Sequence, residues 1–202
     1  MFVKDWMSRP ACAIGPHASA ASARNLMHRR RIRRLAVVDR GHLVGIVTRS
    51  DIEASSGKTR RRSLLEQCVL QDKKVEDVMT PNPVFVAPDE TLEGAAVAMT
   101  SRRISGLPVV DEGKVVGMIT ETDVFRALID LLGFNEGGAR VVLDLQSPES
   151  LVRWLEKFSR GPQIRSLVTY REPASRRWKA VVRLWGKRLP AGRPAQEESV
   201  AR

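Results

Sequence analysis

Aromatic side chains are scarce in this chain, at 5% of residues with a single tyrosine, and there are 2 cysteines. A stacking platform for single-stranded nucleic acid has little to be built from. Cys12 and Cys68 stand apart from each other and from His17, His28 and His42, so neither a zinc spacing nor a disulfide framework can be read. Reduced thiols in a cytoplasmic protein are expected. Apolar runs never approach the ~18 residues of a membrane span, and the opening MFVKDWMSRP carries Asp5 where an export signal would be apolar. Neither membrane spanning nor export is expected. The chain also lacks a nucleophile beside a base, a metal-ligand cluster and a P-loop, so it is not expected to be an enzyme or to hold a covalent or metal cofactor. Acidic residues are in the minority, and the formal net charge is +11. A basic surface attracts phosphates and nucleic acids alike, which keeps a nucleic-acid-binding regulator open as an alternative.

What the chain does contain is itself, twice. Laid so that Val3 falls on Val75, the segment to Ile52 runs without a gap along the segment to Val124, with more than a third of paired positions identical. The matches include Val3/Val75, Asp5/Asp77, Met7/Met79, Met27/Met99, Leu35/Leu107, Asp39/Asp111 and Gly45/Gly117. A fixed internal period is the mark of a duplicated supersecondary unit.

Each repeat reads alike. The second opens TPNPVFVAPDE, and Leu92, Ala95, Ala96 and Met99 then recur at the spacing of one buried helix face. Ala20, Ala23 and Met27 do the same in the first. Asp89 is the predicted N-cap in the second repeat, with Ser19 or His17 as poorer equivalents. Two Val- and Ile-rich strands follow, LAVVD and LVGIVT or LPVVD and VVGMIT, separated by turns at Arg40-Gly41 and Glu112-Gly113. Second helices begin at Thr48 and Thr120. The fold class is α+β: two tandem β-α-β-β-α repeats, about 3–52 and 75–131, related by a pseudo-twofold and joined by a linker at 53–74 that includes the solvated TRRRS. The cleft between them is the natural ligand site.

The phrase GIVTRSD at Gly45–Asp51 returns as GMITETD at Gly117–Asp123. At a strand-to-helix junction, Thr caps the helix and leaves its first N–H groups facing an anion, while Asp one turn in can accept bonds from a ribose diol. The same spacing suits a capping box, in which the acid reaches back to the cap's own N–H. Two features favour a ligand: the acid is Asp in both repeats, where capping boxes use Glu or Gln, and Gly precedes at the same distance both times.

With LAVVDRGHLVGIVTRSDI and LPVVDEGKVVGMITETDV complete, residues 3 to about 131 resemble a tandem pair of CBS domains, the Bateman module. The resemblance implies that AMP, ADP, ATP or S-adenosylmethionine binds in the inter-repeat clefts. It gives Asp51 and Asp123 to ribose hydroxyls, Thr48 and Thr120 to phosphate, and the strand openings Leu35-Ala36 and Leu107-Pro108 to the flanks of adenine. Arg33 and Arg34 fall where some members of the family place cations on phosphates. The second repeat has Ser105 and Gly106 there, so an asymmetric pair of sites is expected. The other cations of HRRRIRR, Arg29 to Arg31, are expected in water at a helix C-terminus.

After the module (1–133) and Gly137-Gly138, residues 139–186 read as strand, helix and hairpin, with Ser147 as N-cap and Trp154, Trp178 and Trp185 in a core or interface. This unit resembles part of an ACT domain, without its last helix and strand. Gln146-Ser147-Pro148-Glu149 stands where amino-acid sensors of that family carry Asp-x-x-Gly, so a pairing or dimerisation role is implied. The tail at 187–202 is expected to be disordered. The sum is a regulatory sensor of adenosyl nucleotides that forms a homodimer and acts on a partner protein, with a ligand-free oligomerisation scaffold as a further alternative.

Overall fold

Strands form where β-branched residues alternate with small ones, and helices where alanine and leucine recur every third or fourth position. In chain order the first compact unit contains α1 (Val3–Trp6), β1 (Ala13–Ile14), α2 (Ala20–Arg30), β2 (Arg34–Asp39), β3 (His42–Thr48) and α3 (Arg49–Ser55). It continues with β4 (Thr80–Pro81), α4 (Leu92–Arg102), β5 (Gly106–Asp111), β6 (Lys114–Thr120) and the start of α5 (Glu121–Leu131). The protein is seen here in a computed structural model that describes residues 1–55, 70–134, 137–145, 147, 149–156, 163–185 and 197–199. The expected TRRRS linker and residues 157–162 lie outside the described residues, as do 186–196 and 200–202 of the tail.

Both hairpins close on two successive positive-φ residues, Arg40 (48°) with Gly41 (88°) and Glu112 (45°) with Gly113 (78°). That is the turn whose twist suits adjoining antiparallel strands, and glycine takes its second position without strain. The strands assemble in the order β1-β2-β3-β6-β5, with β4 also against β3. The two hairpins meet at the single register pair His42↔Lys114. On the helix side of the first hairpin, Leu35, Val37 and Val47 pack against Ala20, Ala23, Met27 and Ile52. Burying a leucine such as Leu35 contributes roughly 1.5–3 kcal/mol.

The helix starts differ from expectation in one repeat. Ser19 caps α2 by accepting the Ser22 N–H at 3.1 Å. In the second repeat the cap is Thr91, which accepts the Gly94 N–H at 3.0 Å, and not Asp89. Asp89 instead takes the Lys4 ammonium at 2.5 Å. A cap must immediately precede the first helical residue, and the helix starts at Leu92.

That ion pair belongs to an exchange between the repeats. The Ser8 N–H donates to Met118 O on β6 at 2.9 Å, while Val3 and Lys4 donate to Glu90 and Pro88. Conversely, Thr80 pairs with Ile46 on β3, and Val75 and Glu76 donate to Ala18 and Pro16. Each opening segment is thus built into the other repeat. Asp5 and Asp77 serve these segments as caps, accepting from the Phe2 N–H at 3.2 Å and the Lys74 N–H at 2.9 Å. The recurrent glycines have their explanation here. A Cβ on Gly45 would run into the Met79 sulfur, and one on Gly117 would stand 2.5 Å from the Met7 sulfur. Gly45 and Gly117 therefore admit a methionine from the opposite repeat.

The second unit, Phe125–Arg202, holds the rest of α5 with β7 (Ala139–Leu145), α6 (Glu149–Glu156), β8 (Gln163–Arg171), β9 (Trp178–Trp185) and β10 (Glu197–Ser199). Its strand order is β10-β7-β9-β8. Leu143, Leu145, Ala180, Val182 and Leu184 alternate onto one face and pack with Leu151 and Trp154 of α6. On the other face Lys179 lies 3.2 Å from Glu172 and 3.6 Å from Asp144. There too the Ser166 hydroxyl donates to Leu132 O at 3.0 Å, and the Arg183 guanidinium sits 4.5 Å from the Phe134 ring centre. Trp154 is core, Trp178 half-buried and Trp185 exposed. The tail departs from the expected disorder at Glu197–Ser199, which pairs in parallel with β7. An open strand edge offers a row of unpaired backbone groups to any segment that can reach it.

Candidate functional site

The two Thr-x-x-Asp phrases sit at the starts of α3 and α5. In the first repeat the Thr48 N–H and hydroxyl both donate to Asp51 Oδ2, each at 2.7 Å, and Thr48 Oγ1 accepts the Asp51 N–H at 3.3 Å. In the second, the Thr120 N–H and hydroxyl donate to Asp123 Oδ2 at 3.0 and 2.6 Å. These are the bonds of a capping box. A carboxylate has about four acceptor sites on two oxygens, and in each repeat the cap uses Oδ2. Asp51 is half-buried and Asp123 is 5% exposed, which makes the second carboxylate the more enclosed.

Backbone donors at these helix starts are also partly used within the chain. The Arg49 N–H donates to Arg33 O at 2.8 Å, and the Glu121 N–H to Ser105 O at 3.3 Å. The residue just ahead of each hairpin therefore closes the mouth of the following helix. The helix starts are less open to an anion than spacing alone suggests.

Strand alternation separates the adenine-flanking candidates. Leu35 belongs to the core against α2 and, like Leu107, is fully buried. Ala36 and Pro108, one residue on, face the opposite side of the sheet and are buried as well.

The arginines part company. Arg33 stays exposed, whereas Arg34 is half-buried. Arg34 lies in register with Thr48 of its own repeat, yet its Nη2 donates to Ser105 Oγ of the second repeat at 2.8 Å. Its guanidinium lies over Gly106, where a Cβ would stand 2.9 Å from Arg34 Cζ and closer still to Nη1. Gly106 is the register partner of Thr120. Burial holds the Arg34 pKa below the ordinary guanidinium value, while the charges of Glu121 and Asp123 raise it. Sequence reading missed this crossing, although an arginine at a position where the twin repeat has glycine is the large-for-small exchange that signals it.

Among the described residues there is no group of three or more His, Cys, Asp and Glu placed to hold a metal, and no helix long and apolar enough to cross a membrane.

Comparison with known proteins assigns the duplicated part. The sequence profile of the CBS domain matches residues 3–55 and 75–130. The chain is 32% identical over 126 residues to L-aspartate semialdehyde sulfurtransferase of Methanocaldococcus jannaschii, a match covering 61% of this chain and 22% of that enzyme. It is 36% identical to inosine-5'-monophosphate dehydrogenase of Korarchaeum cryptofilum, over 60% of this chain and 23% of the enzyme. The chain thus spans under a quarter of these enzymes. A CBS domain-containing protein of Dictyostelium discoideum, 31% identical, is matched over 65% of this chain and 94% of its own length. Among solved structures, the CBS domain pair of protein MJ0100 in complex with 5'-methylthioadenosine and S-adenosyl-L-methionine has 32% identity and a TM-score of 0.52, covering 63% of this chain and 95% of that one. CBSX2 in complex with AMP has 29% identity and a TM-score of 0.56, covering 64% and 97%.

Proposed function

Since this chain belongs to the CBS domain family, we propose that it is a regulatory protein whose paired repeats sense an adenosyl ligand: AMP, ADP, ATP or S-adenosylmethionine. The observation that carries this reading is the duplicated Thr-x-x-Asp at the two helix starts, in a chain similar to domain pairs solved with AMP and with S-adenosylmethionine. Asp51 and Asp123 would accept from ribose hydroxyls. Thr48 and Thr120, with the arginines, would face the phosphates, and Ala36 and Pro108 would flank the base. The chain does no chemistry of its own. A ligand shifts its conformation only by binding one state more tightly than another, and that difference is what a regulated partner reads.

A homodimer suits this role. Phe125, Leu128 and Ile129 on α5 are 62%, 46% and 41% exposed and share one helical face, which a second molecule can cover. The C-terminal unit, with its β8 edge, is read as an ACT-like pairing element. Sedimentation of the Phe125→Glu variant beside the unaltered protein tests the helical face, and the variant should run at half the mass.

The sensor reading itself is tested by titration calorimetry of the full chain with AMP, ADP, ATP and S-adenosylmethionine. Saturable heat from at least one is expected, and silence from all four at near-millimolar protein overturns the reading.

A further inference from the structure

Between Gln163 and Trp185 the β8–β9 hairpin carries the cations Arg165, Arg171, Arg176, Arg177, Lys179 and Arg183 against a single acid, Glu172. That acid is turned back into the hairpin: its carboxylate accepts from the Ser175 hydroxyl and lies 3.2 Å from the Lys179 ammonium. Arg171, Arg176 and Arg177 are gathered at the tip, and all three are exposed. The tip lies beyond the last register pairs of β9, Arg171↔Trp178 on one side and Leu145↔Trp178 on the other. It therefore projects past the end of the paired strands.

Main-chain bonds fix the tip. The Glu172 N–H donates to Arg177 O and the Arg176 N–H to Glu172 O, each at 2.9 Å, and Arg176 takes a φ of 59°. Arg171 is fastened through Nε, which donates to Arg176 O at 3.0 Å, while its guanidinium lies 5.9 Å from the Trp178 ring centre. An arginine held by Nε keeps the N–H groups of both Nη nitrogens for an acceptor. Three like charges so close together repel one another, and a ligand with many negative charges relieves that cost. The aromatic residues of the hairpin do not form a stacking platform. Trp178 carries Arg171, and the exposed Tyr170 and Trp185 stand far apart: Tyr170 pairs with Lys179, about 20 Å along β9 from Trp185. Bases of a single strand stacked in succession need rings closer together.

We propose that the tip of the β8–β9 hairpin is a docking surface for the phosphate backbone of a nucleic-acid duplex, held by Arg171, Arg176 and Arg177 without regard to base sequence. Each guanidinium is a planar fork that meets two phosphate oxygens at once. This role is separate from adenosyl sensing and does not rest on it.

Fluorescence anisotropy of short labelled DNA duplexes, titrated with the full chain, tests it. Two duplexes of unrelated sequence should bind within about twofold of each other. Three phosphate contacts should weaken binding about fortyfold between about 50 and about 200 mM salt. Arg176→Asn with Arg177→Gln should lower the salt slope by about two, and Arg171→Gln by about one more. Asparagine takes a positive φ readily, so the turn survives the change at Arg176, and thermal melting of each variant separates loss of fold from loss of binding. Arg29→Gln, Arg30→Gln and Arg31→Gln together remove the same charge from the first repeat and should leave the slope nearly unchanged. If that triple variant weakens binding as much as the tip variants do, the contact belongs to net charge and the assignment to the hairpin is overturned. Tighter binding at equal salt to single-stranded DNA of the same length, or to phosphatidylserine vesicles, overturns the choice of a duplex. Absence of saturable binding to either duplex at about 50 mM salt overturns the proposal outright, whatever calorimetry shows for adenosyl ligands.

Discussion

Thr48 and Asp51 each do two jobs with few atoms. The threonine hydroxyl donates to the carboxylate and accepts from the backbone, and the carboxylate accepts from the threonine's own N–H. Thr48→Ala should therefore cost about 1 kcal/mol of stability, read by urea denaturation, before any ligand is considered. Asp51→Asn is the cleaner probe of the ligand role, because the amide oxygen can still accept from the Thr48 N–H. Arg34 shows the same economy. Its backbone pairs in one repeat and its guanidinium serves the other, so one residue touches both halves of the module.

At the scale of the element, the hairpins hold because each central strand admits a methionine from the opposite repeat. Gly117→Ala should cost about 1–3 kcal/mol, since the new methyl would meet the Met7 sulfur and lies 3.0 Å from the Ser8 carbonyl oxygen. Combined with Met7→Ala it should cost less than the sum, with a coupling of at least about 0.5 kcal/mol in a double-mutant cycle. In the second unit the β8–β9 hairpin is tied by Glu172, whose pKa is lowered first by the Ser175 hydroxyl and then by Lys179. A carboxylate whose pKa falls on folding adds stability that is fully present above its unfolded value, about 4.3 for Glu, and lost as pH drops through the lowered folded value. Glu172→Gln should flatten that acid-side loss, as followed by Trp fluorescence against pH.

At the scale of the whole molecule, the exchange of opening segments makes the first unit one cooperative body. A protease site inserted between 56 and 69 and then cut should leave two fragments that co-elute, because residues 1–10 are built into the second repeat and 73–81 into the first. The isolated segment 1–55 should fail to fold as a monomer, with a flat near-ultraviolet circular dichroism spectrum. A ligand present at about a hundredfold its Kd should stabilise the intact body by about 2.7 kcal/mol, visible as a rise in Tm that grows with concentration.

Periodicity made the repeat, the hairpins with their glycine turns and the helix faces legible, because local backbone preference and alternating burial are written in neighbouring residues. Val-rich runs around Arg40-Gly41 and Glu112-Gly113 leave little choice but a hairpin, and Leu92, Ala95 and Met99 little choice but a buried helix stripe. The Thr-x-x-Asp phrase was legible too, but its two readings, cap and ligand site, share the same spacing, and the structure forms the cap. Where each opening segment goes, why Gly45 and Gly117 recur, and that Arg34 reaches the second repeat depend on contacts between residues far apart in the chain, Gly45 with Met79, Gly117 with Met7 and Arg34 with Ser105. Repeats built on one pattern carry no local mark of which twin a segment joins, so only the packed tertiary structure, by matching methionine to glycine and arginine to glycine between the repeats, decides it.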